Sequence, residues 1–183
     1  MIERYLIGHC APALAGIKTA NLFDMKVESE EVLNAQIDQW NEWLVPRGLT
    51  LRCLRYRNQK ALVYAYRRSR LETDLSYPET VSFLKQFGYE QTDPDYAISR
   101  LAKRIREEDE FPHEIGLFLG YPLGDVIGFI ENAGQNCKCC GCWKVYCNEC
   151  EAVKLFAQYR KCREVYMRLW SQGRSVLQMC RCC

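Results

Sequence analysis

Six of the twelve cysteines in this 183-residue chain fall within the fourteen residues from Cys137 to Cys150. Thiolates bind zinc, copper(I) and iron–sulfur clusters, and pairs of thiols exchange electrons as disulfides. The stretch contains two C-x-x-C pairs, Cys139 with Cys142 and Cys147 with Cys150. Two such pairs supply the four ligands of a tetrahedral site, so the pattern predicts bound zinc or iron, the iron either as an ion or as an iron–sulfur cluster.

The short connection between the two pairs leaves the choice of ligands open. Only four residues separate them, whereas the pairs of a zinc ribbon lie roughly 15 to 20 residues apart. If Trp143 to Tyr146 is extended, the pairs sit about 13 Å apart at opposite ends of a strand, unless the chain folds back. Further C-x-C and C-x-x-C groupings compete, so all six thiols are candidate metal ligands: Cys137, Cys139, Cys140, Cys142, Cys147 and Cys150.

Two alternative hypotheses use thiols as redox or catalytic groups. Cys147 and Cys150 lie at the start of a predicted long helix, and a helix N-terminus favours the thiolate form that redox exchange needs. Cys10 offers the other thiol, since a Cys/His nucleophilic pair requires one of the two histidines of the chain. The candidate catalytic residues are therefore Cys10, His113 and Glu114. His113-Glu114 lacks the second histidine of a zincin motif, which excludes a metalloprotease and leaves enzymatic activity undecided.

A basic stretch offers a different class of partner. Between Arg47 and Arg70 the chain has eight Lys or Arg residues, no Asp or Glu, and three interleaved tyrosines. Basic side chains bind phosphates and aromatic rings stack on bases, so nucleic-acid binding is a further hypothesis. Its candidate contact residues are Arg52, Arg55, Arg57, Lys60 and Arg67. Edge strands also carry Lys and Arg to block aggregation, and we favour that interpretation.

Composition and charge exclude other classes. A net charge of +2 with 48% hydrophobic residues is typical of a globular protein and gives no global attraction to nucleic acid or an acidic membrane. Glu3 and Arg4 interrupt the N-terminus, so we expect no secretory signal. The apolar stretch at 115–130 is broken by Pro122 and Asp125 and is shorter than the roughly 20 residues of a membrane span. We therefore expect a cytoplasmic protein with no membrane partner, in which crowded thiols bind metal or react rather than form disulfides.

The hydrophobic pattern predicts a helix-rich α+β domain with a small antiparallel sheet and a C-terminal cysteine-rich strand–helix module. The predicted elements are a strand at 20–27, a helix at 30–44, a hairpin of strands at 49–56 and 60–67, helices at 78–87 and 93–106, two short helices within 112–134, a strand at 143–147 and a helix at 148–172. Glycines at 116, 120, 124 and 128 recur every fourth residue, which favours tight helix packing.

A change of composition near 134–136 divides the chain into a predicted α+β core, 1–134, and a cysteine-rich module, 135–183, docked on it. Within the module we expect Cys162 to be a packed core thiol. The tail cysteines Cys180, Cys182 and Cys183 are expected to be disordered and to take no part in a site.

Three segments resemble a family of unknown function found mainly in anaerobic Gram-positive bacteria. They are Phe111 to Pro122 (FPHEIGLFLGYP), Gly141 to Tyr146 (GCWKVY), and His9 to Pro12 with Ala15 to Lys18 (HCAP, AGIK). The resemblance covers nearly the whole chain and implies a small cytosolic protein without an established activity. The favoured interpretation is therefore an intracellular protein whose cysteine module serves metal handling or redox chemistry.

Overall fold

A three-stranded antiparallel sheet separates two hydrophobic cores. The computed structural model describes residues 2–108 and 110–181. The strands are β1 (Ala20–Lys26), β2 (Thr50–Arg57) and β3 (Lys60–Tyr66), in the order β1-β3-β2. Because successive side chains of a strand point to opposite faces, the central strand β3 contributes alternately to the two cores. One core receives Ala61, Val63 and Ala65, and the other receives Leu62, Tyr64 and Tyr66.

Helices cover both faces of this sheet. In the described part of the chain they are α1 (Ile2–Leu14), α2 (Glu30–Leu44), α3 (Arg68–Ser76), α4 (Pro78–Gln86), α5 (Pro94–Glu107), α6 (Ile115–Phe118), α7 (Leu123–Glu131), α8 (Glu149–Ser171) and α9 (Val176–Met179). Helices α1, α2, α8 and α9 pack into the first core, and α3 to α7 pack into the second. A two-stranded ladder, β4 (Cys139–Cys140) with β5 (Lys144–Val145), connects α7 to α8.

The predicted α+β class is confirmed, and several elements have the predicted bounds. Helix α2 covers 30–44, and the hydroxyl of Ser29 accepts a hydrogen bond from the backbone N–H of Val32 at 3.3 Å, as an N-cap does. The predicted hairpin forms between β2 and β3. Its turn lacks Asn-Gly, yet Asn58 and Gln59 both adopt positive φ, 52° and 58°, which is the conformation of a two-residue turn that matches the twist of the strands.

Other elements were not predicted. Helix α1 contains Gly8 and Pro12, which mask its helical pattern, and it is held by packing between the sheet and α8. Helix α3 begins with Arg68 and buries only Leu71 and Leu75, so its apolar period is too weak to recognise. In both cases tertiary burial decides the local structure.

The C-terminal segment is part of the first core. Cys180 is only 6% exposed, and the backbone N–H of Arg181 donates to the carbonyl of Leu14 at 3.1 Å. The expectation of a disordered tail is therefore wrong for Cys180, while Cys182 and Cys183 lie outside the described residues. Cys162 is half-buried against the same core.

The module predicted at 135–183 packs on the preceding part of the chain mainly through α8, which lies against α1. The boundary at 134 stays a prediction. Among the described helices, none combines the length and the apolar character that crossing a bilayer requires.

Candidate functional site at the cysteine hairpin

The two groups of thiols are brought together by a reversal of the chain. Strands β4 and β5 are antiparallel, with Cys139 opposite Val145 and Cys140 opposite Lys144. We call residues 137–147 the cysteine hairpin. The ladder continues beyond its strands, because the backbone N–H of Lys138 donates to the carbonyl of Val145 and its Nζ donates to the carbonyl of Cys147, both at 2.8 Å.

This fold-back corrects the predicted strand at 143–147. Only Lys144 and Val145 are extended there, and the chain turns at Gly141 and Cys142, where the N–H of Gly141 donates to the carbonyl of Trp143 at 3.0 Å. The two ends of the cysteine hairpin therefore lie beside each other, rather than at the two ends of one strand.

A buried carboxylate on α7 holds the cysteine hairpin in place. Asp125 is 3% exposed, and its Oδ1 accepts hydrogen bonds from the backbone N–H groups of Tyr146 and Cys147, both at 2.8 Å. Its Oδ2 accepts from the indole Nε1 of Trp143 at 2.7 Å. Hydrogen bonds to a charged acceptor are the strong ones, so this one side chain ties both the turn and the second arm to the helix.

Glycines provide the space for that contact. A Cβ at position 128 would lie 2.5 Å from Cγ of Tyr146, and a Cβ at position 124 would overlap the sulfur of Cys147. Both glycines are on α7, which begins after Pro122. The four-residue glycine repeat thus allows the close approach of the cysteine hairpin at these two positions, rather than the packing of one helix on another.

Aromatic rings close the other side of the turn. The ring of Trp143 stacks on Tyr121 at 4.8 Å between centroids and meets the edge of Phe156 of α8 at 4.6 Å. With Val145 and Ala152 they form a small third core. The turn is therefore packed between the 111–122 segment and the long helix.

The six thiols do not share one environment. Alternation along β4 directs Cys139 to the side of Val145 and Cys140 to the side of Lys144. Cys142 lies at the turn, where it lines a cavity together with Lys18 and Arg160. The remaining three lie at the open end of the cysteine hairpin or in the first turn of α8, and they are Cys137, Cys147 and Cys150.

The electrostatic surroundings differ accordingly. The pKa of Cys139 is raised by its partial burial and then by the negative charges of Glu149 and Cys137. Burial also raises the pKa of Cys142, and the cations Lys18 and Arg160 offset only part of this rise. Cys139 thus lies among groups that become anionic, whereas Cys142 faces positive charge.

No closed ligand set is formed in the described structure. Within residues 2–108 and 110–181, no three side chains of His, Cys, Asp or Glu converge closely enough to hold a metal ion. Among the cysteines of the hairpin and the helix start, Cys140, Cys142, Cys147 and Cys150 are exposed, and Cys137 and Cys139 are half-buried.

Among the three candidate catalytic residues, Cys10 lies apart from the adjacent pair His113 and Glu114. Cys10 is fully buried in the first core, and burial raises the pKa of its thiol far above the ordinary value. His113 is exposed and packs edge-on against Phe129. Glu114 is 1% exposed and forms an ion pair with Nε of Arg104 at 2.7 Å. The structure gives Cys10 no accessible thiolate and no contact with His113.

The five candidate nucleic-acid contact residues of the β2–β3 hairpin also lie in different surroundings. Arg67 is completely buried and donates to the carbonyls of Ala13 and Leu14 at 2.6 and 2.7 Å, so it is not a surface contact. Arg52 donates to the hydroxyl of Ser99 at 2.8 Å. The other candidate contact residues line a surface depression beside Asp24 at the hairpin end of the sheet, and they are Arg55, Arg57 and Lys60.

The roles of two residues, Asp125 and Lys18, were not predicted from the sequence. Asp125 was seen only as an interruption of an apolar stretch, although an isolated acid in such a stretch is itself a signal of a buried hydrogen-bonded role. Lys18 is 5% exposed, and its Nζ donates to the carbonyl of Ala20 at 2.7 Å. Burial lowers the pKa of Lys18 to about 8. Nothing in the local sequence distinguishes this lysine from an exposed one.

Comparison with known proteins gives one match. A family model described as "Protein of unknown function (DUF3793)" matches residues 6–180. No curated protein and no solved structure matches the chain.

Proposed function

We propose that this chain, which belongs to the DUF3793 family of proteins of unknown function, binds a zinc or iron ion through four thiolates of the cysteine hairpin and the start of α8. The four ligands are Cys137, Cys139, Cys147 and Cys150. The observation that carries the proposal is the reversal of the chain at Gly141 and Cys142, since it brings the open end of the hairpin beside the first turn of α8. A C-x-C pair and a C-x-x-C pair are thereby made neighbours.

The other two thiols of the run are poorly suited to this ion. Cys140 points to the side of Lys144, away from Cys139. Cys142 faces Lys18 and Arg160, and two cations beside a thiolate compete with a metal ion for its charge. The proposed set therefore leaves out the thiol that faces Lys18 and Arg160 and the thiol on the opposite side of β4.

Closing the site requires only local movement. Cys147 and Cys150 are exposed, and the sulfur of Cys147, which lies against Gly124 of α7, would turn away from that helix by rotation about χ1. Zinc–sulfur bonds are about 2.3 Å long and tetrahedral, and four thiolates fill the coordination sphere. Such a site has no open position, so its role is to hold the ion rather than to activate water on it.

The identity of the ion decides the function. Zinc has no redox chemistry, so a zinc-loaded site would assign the chain to metal handling or to a metal-stabilised fold. Iron held by four thiolates changes oxidation state and would assign it to electron transfer. In both cases binding displaces protons from thiols and stabilises the cysteine hairpin against α8.

The test is elemental analysis of protein purified without oxygen, with paired serine variants. We expect one equivalent of zinc or iron in the wild type and in the Cys140→Ser/Cys142→Ser variant, and its loss in the Cys137→Ser/Cys147→Ser variant. Both variants remove two thiols from the same hairpin, so each is the control for the other. Metal-free wild-type protein, or equal loss in both variants, would contradict the proposal.

A further inference from the structure

A cavity that none of the four proposed metal ligands lines lies beside the turn of the cysteine hairpin. It has a volume of about 450 Å³ and opens between α1, the start of β1, α8 and the turn at Cys142. We call it the cationic cavity. Its polar lining consists of His9, Lys18, Asn21, Cys142, Arg160 and Arg163, together with the hydroxyls of two tyrosines. The three segments quoted for the family resemblance meet here, through Tyr121, through Cys142, and through His9 with Lys18.

The charged side chains that line this cavity are all of one sign. Lys18, Arg160 and Arg163 contribute three cations, and no Asp or Glu is among the described residues that line it. Arg160 and Arg163 are one turn apart on α8, and in the described part of the chain neither forms an ion pair with a carboxylate. Concave sites with one sign of charge concentrate ions of the opposite sign.

Lys18 is the buried member of this group. Its Nζ uses one hydrogen bond on the carbonyl of Ala20 and lies 5.2 Å from the centroid of the Tyr121 ring. An ammonium group has three N–H donors, so one backbone carbonyl does not satisfy it. Burying a cation without an anionic partner is costly, and a bound anion in the cavity would supply that partner.

An unsatisfied acceptor lies beside these donors. Asn21 lines the same cavity, and its Oδ1 is buried and has no hydrogen-bond partner in the described structure. Buried polar atoms without a partner are few in folded proteins. The atom calls for an O–H or N–H donor, and none of the three cations donates to it in the described structure.

Aromatic rings form much of the apolar lining, beside Pro12 and Leu22. Tyr121 and Tyr159 are mostly buried, and Phe156 completes the wall between them and the turn. The cavity therefore combines a cluster of cations, an unpartnered hydrogen-bond acceptor and a wall that accommodates carbon.

We propose that the cationic cavity binds a small phosphate monoester that carries a hydroxyl or amino group. Its phosphate contacts Lys18, Arg160 and Arg163, and its hydroxyl or amino group donates to Oδ1 of Asn21. Guanidinium groups bind phosphate oxygens through paired hydrogen bonds, and a dianion matches several cations better than a monocarboxylate does. This site is independent of the proposed metal site, because none of the four proposed metal ligands lines the cavity.

The first experiment is isothermal titration calorimetry at constant ionic strength with three probes: glycerol 3-phosphate, inorganic phosphate and acetate. We expect glycerol 3-phosphate to bind with a millimolar or smaller Kd, at least tenfold more tightly than acetate. In the Arg160→Ala/Arg163→Ala variant this affinity should fall at least tenfold, since two charge-assisted contacts are lost. Lys161→Ala removes a neighbouring exposed cation of the same helix and should leave the affinity unchanged.

The location is tested by alkylation with iodoacetamide and peptide mapping. Glycerol 3-phosphate should slow modification of Cys142, which lines the cavity, and should not slow modification of Cys150. Both experiments are repeated on the Cys137→Ser/Cys147→Ser variant, where phosphate-ester binding should persist even if metal is absent. No binding at millimolar concentration, acetate binding as tight as that of the ester, equal loss in Lys161→Ala, or unprotected Cys142 would each overturn the proposal.

Discussion

The indole nitrogen of Trp143 donates a 2.7 Å hydrogen bond to Oδ2 of Asp125. Through this bond, the turn of a cysteine-rich hairpin is attached to a helix that belongs to the second core of the protein. The other oxygen of Asp125 holds the second arm at Tyr146 and Cys147. One carboxylate thus fixes the turn and the second arm of the cysteine hairpin to α7.

Removing this carboxylate should loosen the cysteine hairpin. In Asp125→Ala three donors lose a charged acceptor, among them the buried indole N–H, and we expect unfolding free energy to fall by about 3 kcal/mol or more. Asp125→Asn keeps one oxygen acceptor but turns N–H groups toward Trp143, so a loss of about 2 kcal/mol is expected. The measurement is urea denaturation followed by tryptophan fluorescence.

Glu131→Ala is the matched control for this substitution. Glu131 is an exposed carboxylate at the end of the same helix, and its loss should change stability by less than about 0.5 kcal/mol. Equal stabilities for the Asp125 and Glu131 variants would show that the hairpin is not held in this way.

A methyl group at position 128 should push the cysteine hairpin off α7. The new Cβ would lie 2.5 Å from Cγ of Tyr146 and 2.6 Å from its Cβ, and the Cβ moves only with the backbone. We expect Gly128→Ala to cost about 1–3 kcal/mol, despite the better helix propensity of alanine. Thermal denaturation measures the effect.

Gly8→Ala supplies the comparison, because a Cβ there has nothing within 4 Å. In this open position of α1, alanine should stabilise the protein by about 0.5–1 kcal/mol. If both substitutions shift the melting temperature in the same direction, the close approach at Gly128 does not exist in solution.

Arg67 should act on stability rather than on nucleic-acid affinity. Its guanidinium donates to the carbonyls of Leu14 and Arg181 at 2.7 and 2.9 Å, which joins the end of α1 to the C-terminal segment. The single ammonium group of a lysine cannot reproduce the hydrogen bonds of the planar guanidinium. Arg67→Lys should therefore lower the unfolding free energy by about 3 kcal/mol. Arg57→Lys, at an exposed position of the same hairpin, should be neutral in the same denaturation experiment.

The buried thiol of Cys10 predicts a loss of stability in alkali. Burial raises the pKa of Cys10 above the ordinary 9.0, so the folded protein keeps a proton that the unfolded chain releases. The stabilisation is complete below the unfolded pKa and decreases as the pH rises above it, by about 1.4 kcal/mol per pH unit.

Comparison with Cys10→Ala isolates this effect from that of other thiols and tyrosines. Between about pH 9.5 and 10.5 the unfolding free energy of the wild type should fall more steeply than that of the variant by roughly 1.4 kcal/mol. Parallel curves would mean that Cys10 ionises in the folded state, and would restore it as a candidate nucleophile.

Local signals account for the elements that the sequence predicted well. Ser29 and Asp93 cap helices through side-chain oxygens that accept backbone hydrogen bonds, and such signals are visible within a few residues. Helix α1 depends instead on burial between the sheet and α8, which no local pattern records. Cys180 was misjudged for the same reason, since its burial depends on distant α1.

The candidate site was predictable in composition but not in arrangement. Cysteine spacing identified the thiol-rich segment, yet the turn at Gly141 depends on Trp143 reaching Asp125, eighteen residues earlier in the chain. Likewise, Lys18 and Arg160 become neighbours of Cys142 only through the docking of α8 on α1. Long-range packing of this kind is absent from the spacing of residues.

The most direct test of the proposed metal site is a Co²⁺ titration of metal-free protein, followed by its absorption spectrum without oxygen. We expect one equivalent to bind with strong sulfur-to-cobalt charge-transfer bands and the intense visible bands of tetrahedral coordination, unchanged in Cys140→Ser/Cys142→Ser. A weak octahedral spectrum without charge-transfer bands would show that the thiolates Cys137, Cys139, Cys147 and Cys150 do not form a metal site.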